Sequence, residues 1–317
     1  MIMLDEEIVE FHLKKQSSFF EYLTLNDSSG SYLLSGNKGI GKKDFALYLS
    51  KAILSDTSKV LKGIHPDFYF LDTDKDQITV EDVEAIESWL DSPPFESDKK
   101  VIIIPSSQRL SIIAQNKLLK ILEEPPLYLF FFLLVSNSSM LLPTVRSRCI
   151  DINFDFLPDN LVLNYLEKDF DDKNLLDLAV FLSNGTIEKN YFCNEDNLKN
   201  LIDLVGIIAK KEVWKTDILL DKIDNIVKSK IDSKVLTSSI IRVLTYFLKN
   251  KCLSKNTHLE VENSFSTISN IRLVELISRL DSFNTTLNRS NFNFRMGIEE
   301  IILDFILGNK SKEDLIS

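Results

Sequence analysis

Glycine, proline and cysteine are all scarce in this 317-residue chain, which has 9, 8 and 3 of them respectively. So little glycine and proline argues against long flexible linkers. The three cysteines, Cys149, Cys193 and Cys252, lie far apart and form no Cys-x-x-Cys pair. They cannot by themselves make a four-thiolate zinc site or a complete disulfide set, and we expect reduced, mostly buried thiols.

Long apolar runs and an excess of positive charge are also missing. The longest apolar run, Leu127 to Val135, is too short to cross a bilayer as a helix. The start MIMLDEEIVE lacks the basic region and apolar stretch of a signal peptide. The formal net charge of -10 argues against strong sequence-independent DNA binding by the whole chain. We therefore expect a cytoplasmic protein of about two or three domains that makes no membrane contact.

The first half of the chain alternates between strand-like and helix-like segments. Short apolar runs predict strands at SYLLS (31–35), DFYFL (67–71), VIII (101–104) and YLFFFLLVS (128–136). Helical periodicity separates them, in KKDFALYLSKAIL (42–54), in TVEDVEAIESWL (79–90), where Thr79 and Asp82 suit an N-terminal cap, and in IIAQNKLLKIL (112–122). This alternation predicts an α/β fold in which helices cover both faces of a parallel sheet.

The second half, after about Asp155, is predicted to be helical. Two short helices are expected in DNLVLNYLEKDF (159–170) and KNLLDLAVFLSNG (173–185), the second ended by Gly185. Two longer segments, 233–250 and 294–307, each carry an apolar stripe at helical spacing. The fold class is therefore α/β followed by an all-α part.

A glycine-rich loop, SGNKGIGKK, connects the first predicted strand to the helix after it. Gly36, Gly41 and Lys42 fit the phosphate-loop pattern Gly-x-x-x-x-Gly-Lys, with Gly39 inside it. Backbone N–H groups and the helix N-terminus favour an anion there. Lys43 replaces the usual Ser or Thr, and an ammonium cannot ligate Mg²⁺. From the glycines alone, a phosphate site and a turn that binds nothing have equal support.

The strand VIII is the place where a P-loop ATPase carries its acidic residues. In such enzymes the strand ends in an Asp that holds Mg²⁺, often followed by a catalytic Glu. Here Pro105 and Ser106 stand at those positions. With the metal hydroxyl also replaced, we expect no hydrolysis at this site.

Four stretches in one order carry a family resemblance: HPDFYFL (65–71), ITVEDVEAI (78–86), NKLLKILEEPP (116–126) and LLPTVRSRC (141–149). The series resembles the clamp-loader subunits of bacterial DNA polymerase III, which are AAA+ proteins, and most of all the non-hydrolysing delta-prime type. The resemblance is strong over Leu33 to Phe154. It continues in LAVFLSNGT, which is similar to the family's lid, and in NFNFRMGIEEIIL, which is similar to its last collar helix.

The resemblance implies an AAA+ module over residues 1–156, a helical lid over 157–200 and an oligomerising helical collar over 201–317. Partners would be the clamp-loader ATPase subunits (tau or gamma) and the delta subunit, with the sliding clamp and primer–template DNA reached through the complex. Arg148, in SRC, would project as an arginine finger into a neighbour's ATP site. Arg146 would be structural.

Other family positions depart from the pattern of an active ATPase. Glu188 stands near the place of the lid arginine that senses the γ-phosphate, and Asn137 stands at another γ-phosphate sensor position, where we interpret it as a relic. Between the glycine loop and HPDFYFL, the family often carries a four-cysteine zinc module. In this chain the corresponding stretch, Leu54 to Ile64, has no cysteine, so we predict no zinc. We interpret His65 as a capping or packing residue, and the pair Glu123 and Glu124 as solvated or paired with a neighbouring subunit.

Three functions compete at this point. The first is an assembly subunit that completes its neighbours' ATP sites and needs no cofactor, with residual phosphate or nucleotide binding in the loop Gly36–Lys42 left open. The second is an active AAA+ ATPase subunit of the same complex. The third is a nucleotide-binding protein unrelated to replication, which the ordered motif series disfavours.

Overall fold

The computed structural model describes residues 5–25, 29–73, 76–187, 194–210, 220–221, 223–224, 230–255, 257, 259, 261–287 and 294–307. The chain divides into two compact units, residues 1–161 with 185–188, and residues 162–184 with 189–317. The second unit holds parts of both the predicted lid and the predicted collar. The boundaries expected near residues 156 and 200 therefore stay predictions.

The described part of the first unit has one five-stranded parallel sheet at its centre. Its strands are β1 Gly30–Ser35, β2 Phe68–Phe70, β3 Lys100–Ile104, β4 Leu129–Val135 and β5 Ile150–Asn153, in the spatial order β2-β3-β4-β1-β5. All residues of β3 and β4 are buried, as expected of central strands covered on both faces. The predicted sheet and four of its strands are confirmed, whereas β5 was not predicted.

The helices of the first unit pack around this sheet. They are α1 Glu6–Lys15, α2 Ser17–Leu25, α3 Lys42–Leu54, α4 Thr57–Lys62, α5 Val80–Leu90, α6 Ile112–Glu123 and α7 Pro143–Arg146. The predicted cap of α5 is confirmed, because Thr79 N donates to Asp82 Oδ2 over 2.9 Å. Helices α1, α2 and α4 were not predicted, and they have 10, 9 and 6 residues respectively.

The remaining described helices are α8 Asp159–Leu166, α9 Lys173–Ser183, α10 Glu195–Lys210, α11 Lys230–Cys252, α12 Glu262–Ser266, α13 Asn270–Thr286 and α14 Phe294–Leu307. The predicted stripe of α11 is buried at Leu236, Ile240, Val243, Leu244 and Phe247, and that of α14 at Ile298, Ile301, Ile302, Phe305 and Ile306. None of the helices found in the described residues could cross a membrane.

Two local expectations need correction. The C-terminal cap of helix α9 is Asn184, which has the left-handed φ of 51°, and the predicted cap Gly185 follows it at φ 71°.

The described thiols are free, but only Cys149 is half-buried, and Cys252 is exposed. Burial raises the pKa of Cys149 to about 12, so this thiol is inert. Cys193 lies outside the described residues.

In the stretch HPDF, the side chains of His65 and Asp67 accept hydrogen bonds from nearby backbone N–H groups. Buried His65 accepts the Asp67 N–H at Nδ1 over 3.1 Å. The Asp67 carboxylate accepts the backbone N–H groups of Phe95, Glu96 and Ser97 over 2.6–2.8 Å. Burial opposes ionisation of this carboxyl, but the three N–H donors outweigh it and hold the pKa of Asp67 below its usual value. The loop before β3 is thereby fixed to the start of β2.

We expect Asp67→Asn to destabilise the protein by about 1–3 kcal/mol near pH 7, because the amide keeps only one acceptor oxygen and turns an NH₂ donor toward N–H groups that the carboxylate satisfied. Since the folded pKa is depressed, the wild-type advantage is complete above the unfolded pKa of about 3.9 and disappears as the pH falls through the folded pKa. Urea unfolding of both proteins across this range measures it. Asp91→Asn, at the exposed end of α5, is the control. An equal loss at every pH would contradict the assignment.

Candidate functional site: the glycine loop and the arginine turn

The loop between β1 and α3 is a tight turn with glycines in left-handed backbone conformations. Gly36 and Gly41 have φ values of 144° and 88°, and α3 begins directly at Lys42. A Cβ on Gly36 would lie 2.6 Å from the Phe154 carbonyl oxygen, and one on Gly41 would collide with Ile8. Packing and backbone conformation alone therefore require both glycines. Their presence does not establish a bound phosphate.

Lys42 is turned back onto its own loop. Its Nζ donates to the carbonyl oxygens of Gly36 and Asn37, over 2.5 and 2.6 Å, and the residue is buried. A lysine that binds a terminal phosphate would have to exchange these carbonyls for phosphate oxygens. The ammonium expected to face a nucleotide is satisfied without one.

Lys43 follows Lys42, at the position where the phosphate-loop pattern has the Ser or Thr that ligates Mg²⁺. A second ammonium group therefore stands in place of that hydroxyl. Its Nζ lies 3.5 Å from Asp72 Oδ2 and 4.8 Å from the centre of the Phe70 ring. Both members of the ion pair are about half exposed, so the pair is weak. Its position beside the loop still puts positive charge close to the place of the absent metal ligand.

A cavity of about 280 Å³ opens beside the loop. Its lining comprises Lys38, Gly39, Gly41, Lys42, Lys43, Asp44, Asp72, Pro105, Ser106, Gln108, Leu134, Val135, Ser136 and Ile187. Three of the four predicted loop residues, Gly39, Gly41 and Lys42, line it directly. Pro105 and Ser106 face it from the end of β3, where an ATPase has its carboxylates. The structure thus brings the predicted loop and the two altered positions together.

Two carboxylates in this cavity, Asp44 and Asp72, were not predicted from the sequence. Burial raises the pKa of Asp44 to about 6, with a further contribution from the charge of Asp5. Asp72 follows β2 and pairs with Lys43. Asp44 directly follows the lysine pair in the first turn of α3, which was the available signal. Neither residue stands at the end of β3, where magnesium-binding carboxylates are expected.

Helix α1 holds the loop from the other side, which the sequence also did not indicate. Buried His12 contacts the Ile40 carbonyl oxygen through Nε2 over 2.5 Å, and Ile8 packs on Gly41. Burial lowers the pKa of His12, so its neutral ring donates the Nε2 proton to that carbonyl. The loop conformation is fixed by α1 as well as by β1 and α3.

Arg148 lies in the turn between α7 and β5. Its Nη1 donates to the Thr144 carbonyl oxygen over 2.8 Å, and its Nη2 lies 2.6 Å from Glu123 Oε1 at the end of α6. The nearby Arg146 is half-buried. Glu123 was interpreted as solvated or as paired with another subunit, but in this chain its partner is Arg148.

The sheet register separates Arg148 from the chain's own loop. Ile150, which begins β5, is level with Tyr32, whereas the loop begins after Ser35. At about 3.3 Å per residue, roughly 13 Å along the strands separates the level of Ile150 from Gly36. Arg148 precedes Ile150, so it lies at the amino ends of the strands and the loop at their carboxyl ends. An arginine side chain does not span that separation.

The remaining predicted positions contribute little to this site. Asn137 caps a short turn after β4, where its Oδ1 accepts Ser139 N–H over 2.9 Å. Glu188 lies outside the described residues.

One cluster of possible metal ligands lies close to the stretch 54–64, where a zinc module was considered. Ligand atoms of Asp56, His65 and Glu96 come within 4.8 Å of one another. The Nζ of Lys59 already lies 2.5 Å from Glu96 Oε2 and 3.8 Å from Asp56 Oδ2, and His65 Nδ1 is engaged by Asp67 N–H. The protein supplies its own cation here and offers no thiolate. The absence of zinc stays a prediction.

Comparison with known proteins points to one group. Residues 14–158 match the family model described as DNA polymerase III, delta subunit. The chain is 26% identical over 195 residues to DNA polymerase III subunit delta' of Bacillus subtilis, covering 58% of this chain and 59% of that protein. It is also 26% identical over 335 residues to DNA polymerase III subunit gamma of Buchnera aphidicola subsp. Schizaphis graminum, covering 87% and 88%.

A solved structure supports the fold. A DNA polymerase III, gamma subunit-related protein from Thermotoga maritima superposes with a TM-score of 0.55 at 20% identity, covering 93% of this chain and 98% of that one. The relatives carry different subunit names, among them delta', gamma and replication factor C small subunit, and they do not decide between these names for this chain.

We expect the isolated chain to show no magnesium-dependent ATP hydrolysis, because Pro105, Ser106 and Lys43 replace the groups that hold the metal. Lys42→Ala is the matched variant, since Lys42 would contact the phosphates in any working loop. Release of inorganic phosphate should be equally low for both proteins. Magnesium-dependent turnover that Lys42→Ala abolishes would show that the loop supports hydrolysis.

Proposed function

We propose that this chain is a DNA polymerase III clamp-loader subunit of the AAA+ superfamily, and that it is a non-hydrolysing member, which completes a neighbour's ATP site. In this proposal it assembles with ATPase subunits of the tau or gamma type and with a delta subunit. It acts on the sliding clamp and on primed DNA through the complex, in the cytoplasm.

The position of Arg148 carries this proposal. The residue lies at the amino ends of the strands, away from the cavity at their carboxyl ends, so it has no use in the chain's own site. A planar guanidinium suits charge that develops on a γ-phosphate held by an adjacent subunit. The altered loop environment supports the same division of labour, in which this chain supplies the finger and a neighbour supplies the nucleotide.

The loop requires no cofactor in this proposal. Its lysine is satisfied by Gly36 and Asn37, and packing of Ile8 and Phe154 maintains the glycine geometry. Residual binding of phosphate or nucleotide is compatible with the N-terminus of α3 beside the cavity, because backbone N–H groups do not depend on Lys43. Such binding would be a remnant and not a step in catalysis.

An active ATPase subunit is the alternative. The long match to a gamma subunit favours it, as do the two carboxylates Asp44 and Asp72 beside the loop. The assay of the isolated chain separates the two candidates, because only the active subunit hydrolyses ATP by itself through Lys42.

Arg148→Ala should leave folding and assembly intact while lowering clamp- and DNA-stimulated ATP turnover and clamp loading. Arginine fingers in GTPases raise kcat by about 10³–10⁵-fold. We expect a smaller effect here, since only one of several ATP sites would face this subunit. Arg148→Lys should restore activity only in part, because an ammonium lacks the planar fork. Turnover by the reconstituted complex is the measurement. Full turnover and loading with Arg148→Ala would leave this chain as a scaffold only.

The second unit offers a surface for assembly on α13. Ile271 and Val274, one helical turn apart, are 80% and 52% exposed. We expect the double change Ile271→Asp and Val274→Asp to reduce co-purification with the partner subunits, because charge would enter an apolar contact. Leu253→Asp, at an exposed leucine after α11, is the control. If the double variant assembles as the control does, the helical unit binds its partners elsewhere.

A further inference from the structure

The ion pair between Glu123 and Arg148 joins two elements that are distant in sequence. Arg148 Nη2 lies 2.6 Å from Glu123 Oε1, while Nη1 donates to the Thr144 carbonyl oxygen over 2.8 Å. The guanidinium is therefore held at both of its terminal nitrogens. The Arg148 side chain is 33% exposed and the Glu123 side chain 50%, so the contact lies at the surface.

Both partners stand on supported backbone. Glu123 is the last residue of α6, which stops before Pro125 and Pro126. Arg148 N–H donates to the Val145 carbonyl oxygen over 3.2 Å, within the turn that follows α7. Neither group has to be brought into place by a mobile loop.

A buried glutamine fixes the distance between these two elements. Gln115 on α6 accepts the Leu142 N–H over 2.8 Å at the start of α7, and its Nε2 donates to the Leu110 carbonyl oxygen over 3.1 Å. The residue is 4% exposed. The end of α6 and the arginine turn are thus parts of one framework, and the ion pair lies at its outer edge.

We propose that Glu123 is a positioning residue for Arg148, an inference that rests on the proposed function. The carboxylate and the Thr144 carbonyl together restrict the guanidinium to one direction before a neighbour's nucleotide arrives. An arginine has many rotamers, so a side chain oriented in advance loses less conformational entropy on reaching a phosphate. Remaining N–H donors of the guanidinium then face the incoming γ-phosphate.

The adjacent glutamate provides a matched control. Glu124 is also exposed and is one residue further along, and the described residues offer its carboxylate no ion-pair or hydrogen-bond partner. Glu123→Gln and Glu124→Gln remove the same charge from neighbouring positions. Only the first removes the contact to Arg148, so a general charge effect would appear in both variants.

The experiment measures ATP turnover by the reconstituted complex with clamp and primed DNA. Variants are Glu123→Gln, Glu123→Asp, Glu124→Gln and Arg148→Ala, together with the double change Glu123→Gln and Arg148→Ala. We expect Glu123→Gln to lower kcat by about two- to fivefold, the range set by exposed ion pairs, and by less than Arg148→Ala does. The KM for ATP should stay unchanged, Glu123→Asp should restore part of kcat, and Glu124→Gln should match the wild type.

The double variant separates positioning from a structural role. In the Arg148→Ala background, Glu123→Gln should have no further effect, because its contribution passes through the arginine. An additive effect, an unchanged kcat or an increased kcat for Glu123→Gln would each overturn the inference, the last because it would mean that Glu123 restrains the finger. If Arg148→Ala itself has full activity, the trans-acting function fails and this inference fails with it.

Discussion

The parallel pairing of β1 with β4 on one side and β5 on the other is the constraint on which the functional geometry depends. Ser35 is level with Val135 and with Asn153, so all three strands end together. Every residue of β1 after Gly30 is buried, as is all of β4, and a slip in register would bury the wrong side chains. The glycine loop and the arginine turn are thereby placed at opposite ends of the same sheet.

In the glycine loop, the backbone shape and the chemistry of the site depend on different residues. Its glycines are needed because Ile8 and the Phe154 carbonyl leave no room for a Cβ. Its chemistry depends on other positions, Lys43 and the residues that follow β3. A change at those positions costs the fold little, since Lys43, Pro105 and Ser106 are only partly buried. The loop conformation therefore does not depend on whether the site hydrolyses a nucleotide.

Much of the first unit could be predicted because its strands are uninterrupted apolar runs and its helices have caps with a recognisable sequence. Strand β5 was not predicted, because its sequence IDIN contains no apolar run and only Ile152 is buried. His12, Asp72 and Glu123, the partner of Arg148, were missed for a different reason. Each acquires its role from a residue far away in the sequence, and neither spacing nor periodicity records such contacts.

The carbonyl oxygens around Lys42 have a consequence for how the protein folds. A ligand stabilises a fold by the free energy of binding to the native state alone. An anion that binds through Lys42 would have to displace the Gly36 and Asn37 carbonyls, so it gains from this lysine only the difference between two sets of contacts. The charge of Lys42 is then satisfied in the folded chain itself, so this part of the loop needs no ligand to complete its hydrogen bonds as the protein folds.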